Sequence, residues 1–251
     1  MSKQAMIFAA GLGTRLKPLT DTMPKALVPV GGQPLLWHVV MKLKAAGFER
    51  MVVNVHHFAQ QIVDYLQANQ DFGLDIRISD ETGGLLETGG GIRKARSLFY
   101  SDEPVLIHNV DILSNVDLST LYDHPYPEHA DAALVVSPRK TKRYLLVDSS
   151  NRLAGWTNVE TGEVRGPAPT SANLSKQAFS GIHVIMPSLL SLMDTWPDRF
   201  PIIDFYLHHC SDTDIRCIVK EDLQLMDVGK MDTLDQAESF LSSLKSSIRN
   251  S

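Results

Sequence analysis

Ala5-Met6-Ile7-Phe8-Ala9-Ala10-Gly11-Leu12-Gly13-Thr14-Arg15 is an apolar run that breaks into a short glycine loop. Residues 5–10 have the length and composition of a buried strand. Glycines after a strand let backbone N–H groups approach and wrap an anion. In an open parallel sheet, ligands bind at the carboxyl ends of strands, so the loop stands where a ligand would be held. A dinucleotide-binding fingerprint would need a third glycine, and Leu16 occupies that place. A Walker A loop would need Gly-Lys-Ser/Thr, which does not follow. On this loop alone, a plain structural turn stays open.

Working outward, apolar and amphipathic segments alternate. Helical spacing of Leu36, Val39, Val40 and Leu43 predicts a helix over 34–46, with Gly47 as its stop. Strands are predicted over 51–55, 74–78 and 105–109, with helices over 58–68 and 91–99. This order predicts an α/β fold, a Rossmann-like three-layer sandwich with a mixed, mainly parallel central sheet and helices on both faces. After about residue 130, strand-like segments follow one another, at 132–136, 144–147, 152–156 and 179–185. Residues 162–173 read as a loop. A helix over 203–210, a strand over 215–219, an apolar stretch over 223–228 and a closing helix over 233–244 finish the chain, with 245–251 expected to fray. No repeat, low-complexity tract or linker divides it, so a single domain over 1–251 is expected.

Composition removes several function classes. The chain has 251 residues, 43% of them hydrophobic, and a net charge of -5. No basic excess suggests nucleic acid as a partner. An anionic ligand must therefore meet a local cluster of donors. No apolar stretch approaches the roughly 18 residues that span a membrane. Cys210 and Cys217 are too few for a disulfide framework and read as reduced thiols of a cytoplasmic protein.

Candidate chemistry lies in four places. Arg15 closes the glycine loop, and Pro24-Lys25 and Pro29 are expected to hold Lys25 in an extended loop near it. Arginine suits bidentate contact with phosphate oxygens, and lysine acts as a point charge. Val105-Leu106-Ile107-His108-Asn109-Val110-Asp111 is an apolar strand delivering an acid, and Leu223 to Gly229 delivers another at Asp227. Two such carboxylates suit Mg2+, although either could be a cap or turn residue. Between Gly83 and Gly91, five glycines in nine residues exclude a regular element interior. The stretch Glu81 to Gly91 reads as backbone closing on a flat ligand, or as a surface loop. His56 and His57, adjacent on a strand, should point to opposite faces, one packed and one polar, and neither is expected to bind metal.

Together these residues resemble the sugar-nucleotidyltransferase family. Gly11 to Arg15, Pro18 and Pro24 to Val30 match its Gly-x-Gly-Thr-Arg loop, proline and Pro-Lys-x-Leu-x-Pro-Val pattern. Leu86 to Ile92, Val53 to His57 and Phe179 to Ile182 are similar to the branch holding N-acetylmuramate 1-phosphate uridylyltransferases and mannose- and heptose-1-phosphate guanylyltransferases. Val110 departs from the glycine usual before the metal-binding Asp, and Met226 from the threonine common before the second; neither change removes a ligand.

The resemblance implies NMP transfer from an NTP to a sugar 1-phosphate with release of pyrophosphate. UTP and N-acetylmuramate 1-phosphate are favoured, with a GTP-dependent guanylyltransferase as the alternative. It implies that Ala10, Gly11, Gly13 and Thr14 hold the triphosphate through N–H groups, with Ala9 also at the nucleotide. Arg15 would stabilise the leaving pyrophosphate, and Lys25 would contact the α-phosphate and the incoming sugar phosphate. Glu81, Glu87, Thr88, Gly89 and Asn109 would lie at the nucleotide, Gly155, Asn173 and Gly181 at the sugar, and Asp111 and Asp227 at Mg2+. Residues 1–130 would form the nucleotide half, and 131–251 the sugar half with the closing helix. The protein would be a monomer or homodimer with no nucleic-acid or membrane partner. A catalytically inactive regulatory subunit is the reading from another class, and the presence of Arg15, Lys25, Asp111 and Asp227 argues against it.

Overall fold

The computed structural model describes residues 2–123, 130–167 and 173–249. In strand β1 (Lys3–Phe8), Ala5 and Ile7 face one side of the sheet and Met6 the other, and all three are completely buried. A strand without a solvent face must be covered on both sides. A small hairpin of β2 (Pro29–Val30) and β3 (Gln33–Pro34) leads into helix α1 (Leu35–Ala45). The four apolar positions expected of α1 are all buried. Gly47, in the left-handed region, turns the chain into β4 (Phe48–Val55).

The alternation continues with α2 (Ala59–Ala68), β5 (Asp75–Asp80), α3 (Glu87–Ala95) and β6 (Val105–Asn109). β4 and β6 flank β1 in parallel, and β5 extends the sheet beyond β4. After β7 (Ile112–Ser114) and α4 (Leu118–Asp123) come β8 (Ala132–Ser137), β9 (Arg143–Val147), β10 (Leu153–Asn158), β11 (Val164–Arg165) and β12 (Ser175–Ile185). The chain closes with α5 (Pro187–Leu192), α6 (Ile202–His209), β13 (Ile215–Val219), β14 (Leu225–Asp227) and α7 (Met231–Arg249).

β12 joins the two halves. It pairs antiparallel with β6 on one edge and β8 on the other, and its first residues pair with β9. In the order β5-β4-β1-β6-β12-β8-β13, every strand except β12 runs the same way. The central sheet is thus mixed and mainly parallel. β9, β10 and β11 form an antiparallel extension. Helices α1, α2, α4 and α7 pack on one face, and α3, α5 and α6 on the other, which gives three layers. Among the described residues no helix is long and apolar enough to cross a membrane. Cys210 and Cys217 are both free and buried.

Several boundaries differ from expectation. α3 starts at Glu87 and not at residue 91, so Gly89 and Gly90 lie with Gly91 inside the helix and not in a loop before it. Their reason is space: a Cβ on Gly89 would stand 2.1 Å from Phe200 Cε2, and one on Gly90 2.1 Å from the Asp198 carbonyl oxygen. Close packing here outweighs the helix penalty of glycine, about 1 kcal/mol per residue. The tail expected to fray stays helical through Arg249, leaving 250–251 outside the described residues. The expected loop 162–173 holds β11, paired with β10, while 168–172 lie outside the described residues. The short α4 and α5 are additional, the latter signalled by Pro187 at its start.

Candidate active site

The carboxyl ends of β1, β4 and β6 open onto a cavity of about 230 Å³. Ala9, Ala10, Gly11 and Lys25 line one side, Glu81, Glu87 and Thr88 another, and Asn109 and Asp111 the floor. The glycine loop enters it through a tight turn. Gly13 is left-handed with φ +63°, and its carbonyl accepts from Leu16 N–H at 2.8 Å and Thr20 Oγ1 at 2.9 Å. A Cβ on Gly13 would lie 2.9 Å from Thr20 Cγ2, so both conformation and space demand glycine. Among the described residues, no protein acceptor takes the N–H groups of Gly11, Leu12, Gly13 or Thr14. Such a run of free donors suits an anion.

Ala10 differs from what the resemblance implies. Its N–H group and that of Ala9 both donate to Asn54 Oδ1, at 3.2 and 2.7 Å, and are not free for phosphate. Asn54 Nδ2 in turn donates to Glu81 Oε1 at 2.8 Å, and Leu86 N–H donates to Glu81 Oε2 at 3.2 Å. Glu81 is only 1% exposed, with both oxygens engaged. It braces the cavity wall instead of presenting a free carboxylate to a base or ribose. His56 and His57 lie just beyond the end of β4, not within it. His56 is half-buried, its Nδ1–H donating to Glu81 O at 2.7 Å, and His57 is exposed.

The charged centre forms where two short elements meet. Pro24 is extended, but Lys25–Leu27 make a single tight turn in place of the expected extended loop. A proline restricts the residue before it and not the residue after. The turn points Lys25, 8% exposed, at the Asp111 carboxylate, with which it is ion-paired. β14 pairs antiparallel with β7, setting Asp227 opposite Ile112, and Val228 N–H donates to Asp111 O at 2.8 Å. The second acid is thereby carried to the first.

Gly229 marks the convergence. A Cβ there would stand 2.6 Å from Asp227 Oδ1, 2.8 Å from Arg15 Nη2 and 3.3 Å from Lys25 Nζ. Asp227 is an exposed residue, yet partial desolvation of its carboxyl, then the charge of Asp111, push it above its ordinary range, against the pull of Lys25, Arg15 and Arg139. Two crowded carboxylates suit a hard divalent cation. Among the described residues no cluster of three or more His, Cys, Asp or Glu could hold a metal, so water and phosphate oxygens would have to complete the shell.

The remaining predicted residues separate. Glu87 lines the cavity with φ +62°, unusual for a non-glycine, and Arg199 Nε donates to its Oε1 at 3.0 Å. Thr88 Oγ1 accepts from Ile202 N–H at 2.9 Å and so caps the start of α6. Gly89 is closed off from any ligand, because it packs on Phe200 and its N–H donates to Phe200 O at 2.8 Å. Gly181, φ +77°, sits at a register shift in β12, and a Cβ on it would come 2.5 Å from Asn109 Nδ2, so it adjoins the floor. Gly155 is buried in β10 against Gly166 and does not line the cavity. Asn173 is exposed ahead of β12.

Two site residues escaped the sequence reading. Asn54 is the single polar residue in the apolar run 51–55, which was the available signal. Arg139 donates to Phe179 O at 2.8 Å and lies close enough to Asp227 to act on its charge. It stands in a basic turn where no motif singles it out. Burial pushes the imidazoles of His108 and His183 down to about 4 and about 3, so both are neutral at pH 7.

Free N–H donors facing paired acids and cations are equipment for handling phosphate groups, and the class this cleft defines is phosphate-group transfer. Residues 4–153 match the nucleotidyl transferase family, and the chain belongs to it. The chain is 36% identical over 200 residues to an N-acetylmuramate alpha-1-phosphate uridylyltransferase of Caulobacter vibrioides, covering 74% of this chain and 76% of the relative. It is 42% identical over 134 residues to the protein of that name in Neisseria meningitidis serogroup B, covering 52% and 57%. Mannose-1-phosphate guanyltransferases are more distant relatives, at 27–29% identity. In fold, the chain is similar to a UDP-glucose pyrophosphorylase from Acinetobacter baumanii, with a TM-score of 0.75 at 18% identity over 95% of this chain and 92% of that one.

Proposed function

We propose that the chain transfers UMP from UTP to N-acetylmuramate 1-phosphate, releasing pyrophosphate and forming UDP-N-acetylmuramate. The observation that carries this reading is the convergence of Asp227, Arg15 and Lys25 around Gly229, at a cleft bordered by the free N–H groups of Gly11 to Thr14. The names of the two uridylyltransferase relatives support the choice of base and sugar.

A sugar phosphate oxygen attacks the α-phosphorus in line with the departing pyrophosphate. With a second pKa of about 6, the phosphate monoester is mostly dianionic at neutral pH and needs no general base. The neutral, buried His108 and His183 accord with that. Gly11, Gly13 and Thr14 bind the triphosphate through their N–H groups. Arg15 neutralises charge on the leaving pyrophosphate, and Lys25 does so at the α-phosphate and the incoming phosphate. Asp111 and Asp227 would hold Mg2+, which when bound supplies charge neutralisation between phosphate groups. Glu87, Thr88 and Asn109 face the nucleoside, and Gly181 the sugar. The setting proposed is recycling of cell-wall sugar in the cytoplasm.

A second reading, GTP with a mannose- or heptose-type 1-phosphate, is favoured by the guanyltransferase relatives. Pyrophosphate release with Mg2+ separates the two, using UTP, GTP, CTP, ATP and dTTP, each against N-acetylmuramate, mannose and glucose 1-phosphates. Release with UTP and N-acetylmuramate 1-phosphate is expected. Release with GTP and mannose 1-phosphate alone selects the second reading. Silence of the folded protein across the panel overturns the assignment.

A further inference from the structure

Residues 198–202 reach over from the second half of the chain and grip the first turn of α3. Phe200 N–H donates to Leu86 O at 3.2 Å, and Phe200 O accepts from Gly89 and Gly90 N–H at 2.8 and 3.2 Å. On either side, Asp198 is ion-paired with Arg93 at 2.6 Å, and Ile202 N–H caps onto Thr88. Inside this grip Glu87 keeps its left-handed conformation, which persists only where the surroundings enforce it.

Glu87 thus lines the cavity in a fixed orientation. Its Oε1 is taken by Arg199 Nε at 3.0 Å, while no described residue donates to its Oε2. The pair is substantially exposed, with side-chain accessibilities of 67% for Arg199 and 36% for Glu87. An ion pair so open to water contributes little to fold stability. What it fixes is direction: one oxygen is tethered, and the other is left as an acceptor at the cleft.

We infer that Arg199 is a positioning residue, aiming the Glu87 carboxylate at a hydroxyl or ring N–H of the nucleoside. This inference rests on the reading of the cleft as a nucleoside triphosphate site. It gives the second half of the chain a part in setting the nucleotide pocket.

Calorimetric binding of UTP with Mg2+ to the full chain tests it, alongside thermal melting. Arg199→Ala should weaken UTP binding about 3- to 10-fold with an unchanged melting temperature. Arg199→Lys, which keeps the charge, should recover part of that loss. In a Glu87→Gln background, Arg199→Ala should add nothing further. UTP affinity unchanged in Arg199→Ala, or an equal loss in the Glu87→Gln background, overturns the inference. If the wild type binds UTP but transfers nothing to any sugar phosphate, the transferase reading fails while the binding series still decides the role of Arg199. Failure of the wild type to bind UTP, GTP or any other NTP overturns both.

Discussion

The Lys25 ammonium is bonded to the Asp111 carboxylate at the floor of the cleft, and both groups are largely shielded from water. The pair joins the turn after Pro24 to the strand end after β6, two regions far apart in sequence. In this state the lysine holds one acid ready, and a divalent cation would have to share that acid with it. Asp111→Asn keeps an oxygen for Lys25 but removes the charge. Turnover should drop about 100-fold or more, measured below the melting temperature, which itself should fall because the shielded Lys25 loses its counter-charge. Wild-type turnover with Mg2+ in this variant would remove Asp111 from the metal site.

Asp227 makes a prediction about the pH dependence of stability. Its carboxyl is raised by partial desolvation and then by the charge of Asp111, against the pull of Lys25, Arg15 and Arg139, although the residue as a whole is exposed. A raised acid binds its proton more tightly in the folded state than in the unfolded state. The fold therefore loses stability as pH rises from the ordinary carboxylate value, about 3.9, through the raised one. Without divalent cation, Asp227→Asn should melt higher than wild type at pH 7 and nearly alike at pH 3. Mg2+ should raise the melting temperature of the wild type and leave that of Asp227→Asn unmoved. A destabilised Asp227→Asn at pH 7 in chelator would contradict the raised carboxyl.

Asn54 holds the loop to the wall, accepting from two N–H groups and donating to Glu81. Asn54→Leu is close in size but leaves those partners unsatisfied in a buried site, at about 1–3 kcal/mol each before relaxation. The variant should melt well below wild type, and any surviving activity should show a raised KM for the nucleotide. A wild-type melting curve would mean that Ala9 and Ala10 find other acceptors.

The parallel core was legible because its strands are continuous apolar runs and its helices carry apolar stripes, as at Leu36, Val39, Val40 and Leu43. The acids at Asp111 and Asp227 were legible as candidates because each ends an apolar stretch, but their proximity comes from the pairing of β7 with β14, which no local pattern announces. Ala9 and Ala10 line the cleft and Gly89 lies behind it, and their N–H groups are consumed by Asn54 and Phe200, partners distant in sequence. Glycine was the least legible residue. At Gly13 it marks a turn, at Gly181 a close approach to Asn109, and at Gly89 to Gly91 the tight seat of a helix.

That last use can be tested against helix propensity. Gly90 lies in the first turn of α3, and within a helix alanine is ordinarily better by about 1 kcal/mol. Propensity alone therefore predicts that Gly90→Ala stabilises. The geometry predicts the reverse, because the new Cβ would lie 2.1 Å from the Asp198 carbonyl oxygen and 3.1 Å from Leu86 Cβ. The Asp198 backbone on one side and the Leu86 Cβ on the other leave little room to yield, so overpacking should cost about 1–3 kcal/mol. The clash also pushes 198–200 off α3 and should loosen Glu87, raising the nucleotide KM along with the drop in melting temperature. Gly83→Ala is the control, since nothing lies within 4 Å of a Cβ there. A Gly90→Ala protein that melts at or above wild type would show that α3 and the 198–200 segment are not in the contact described.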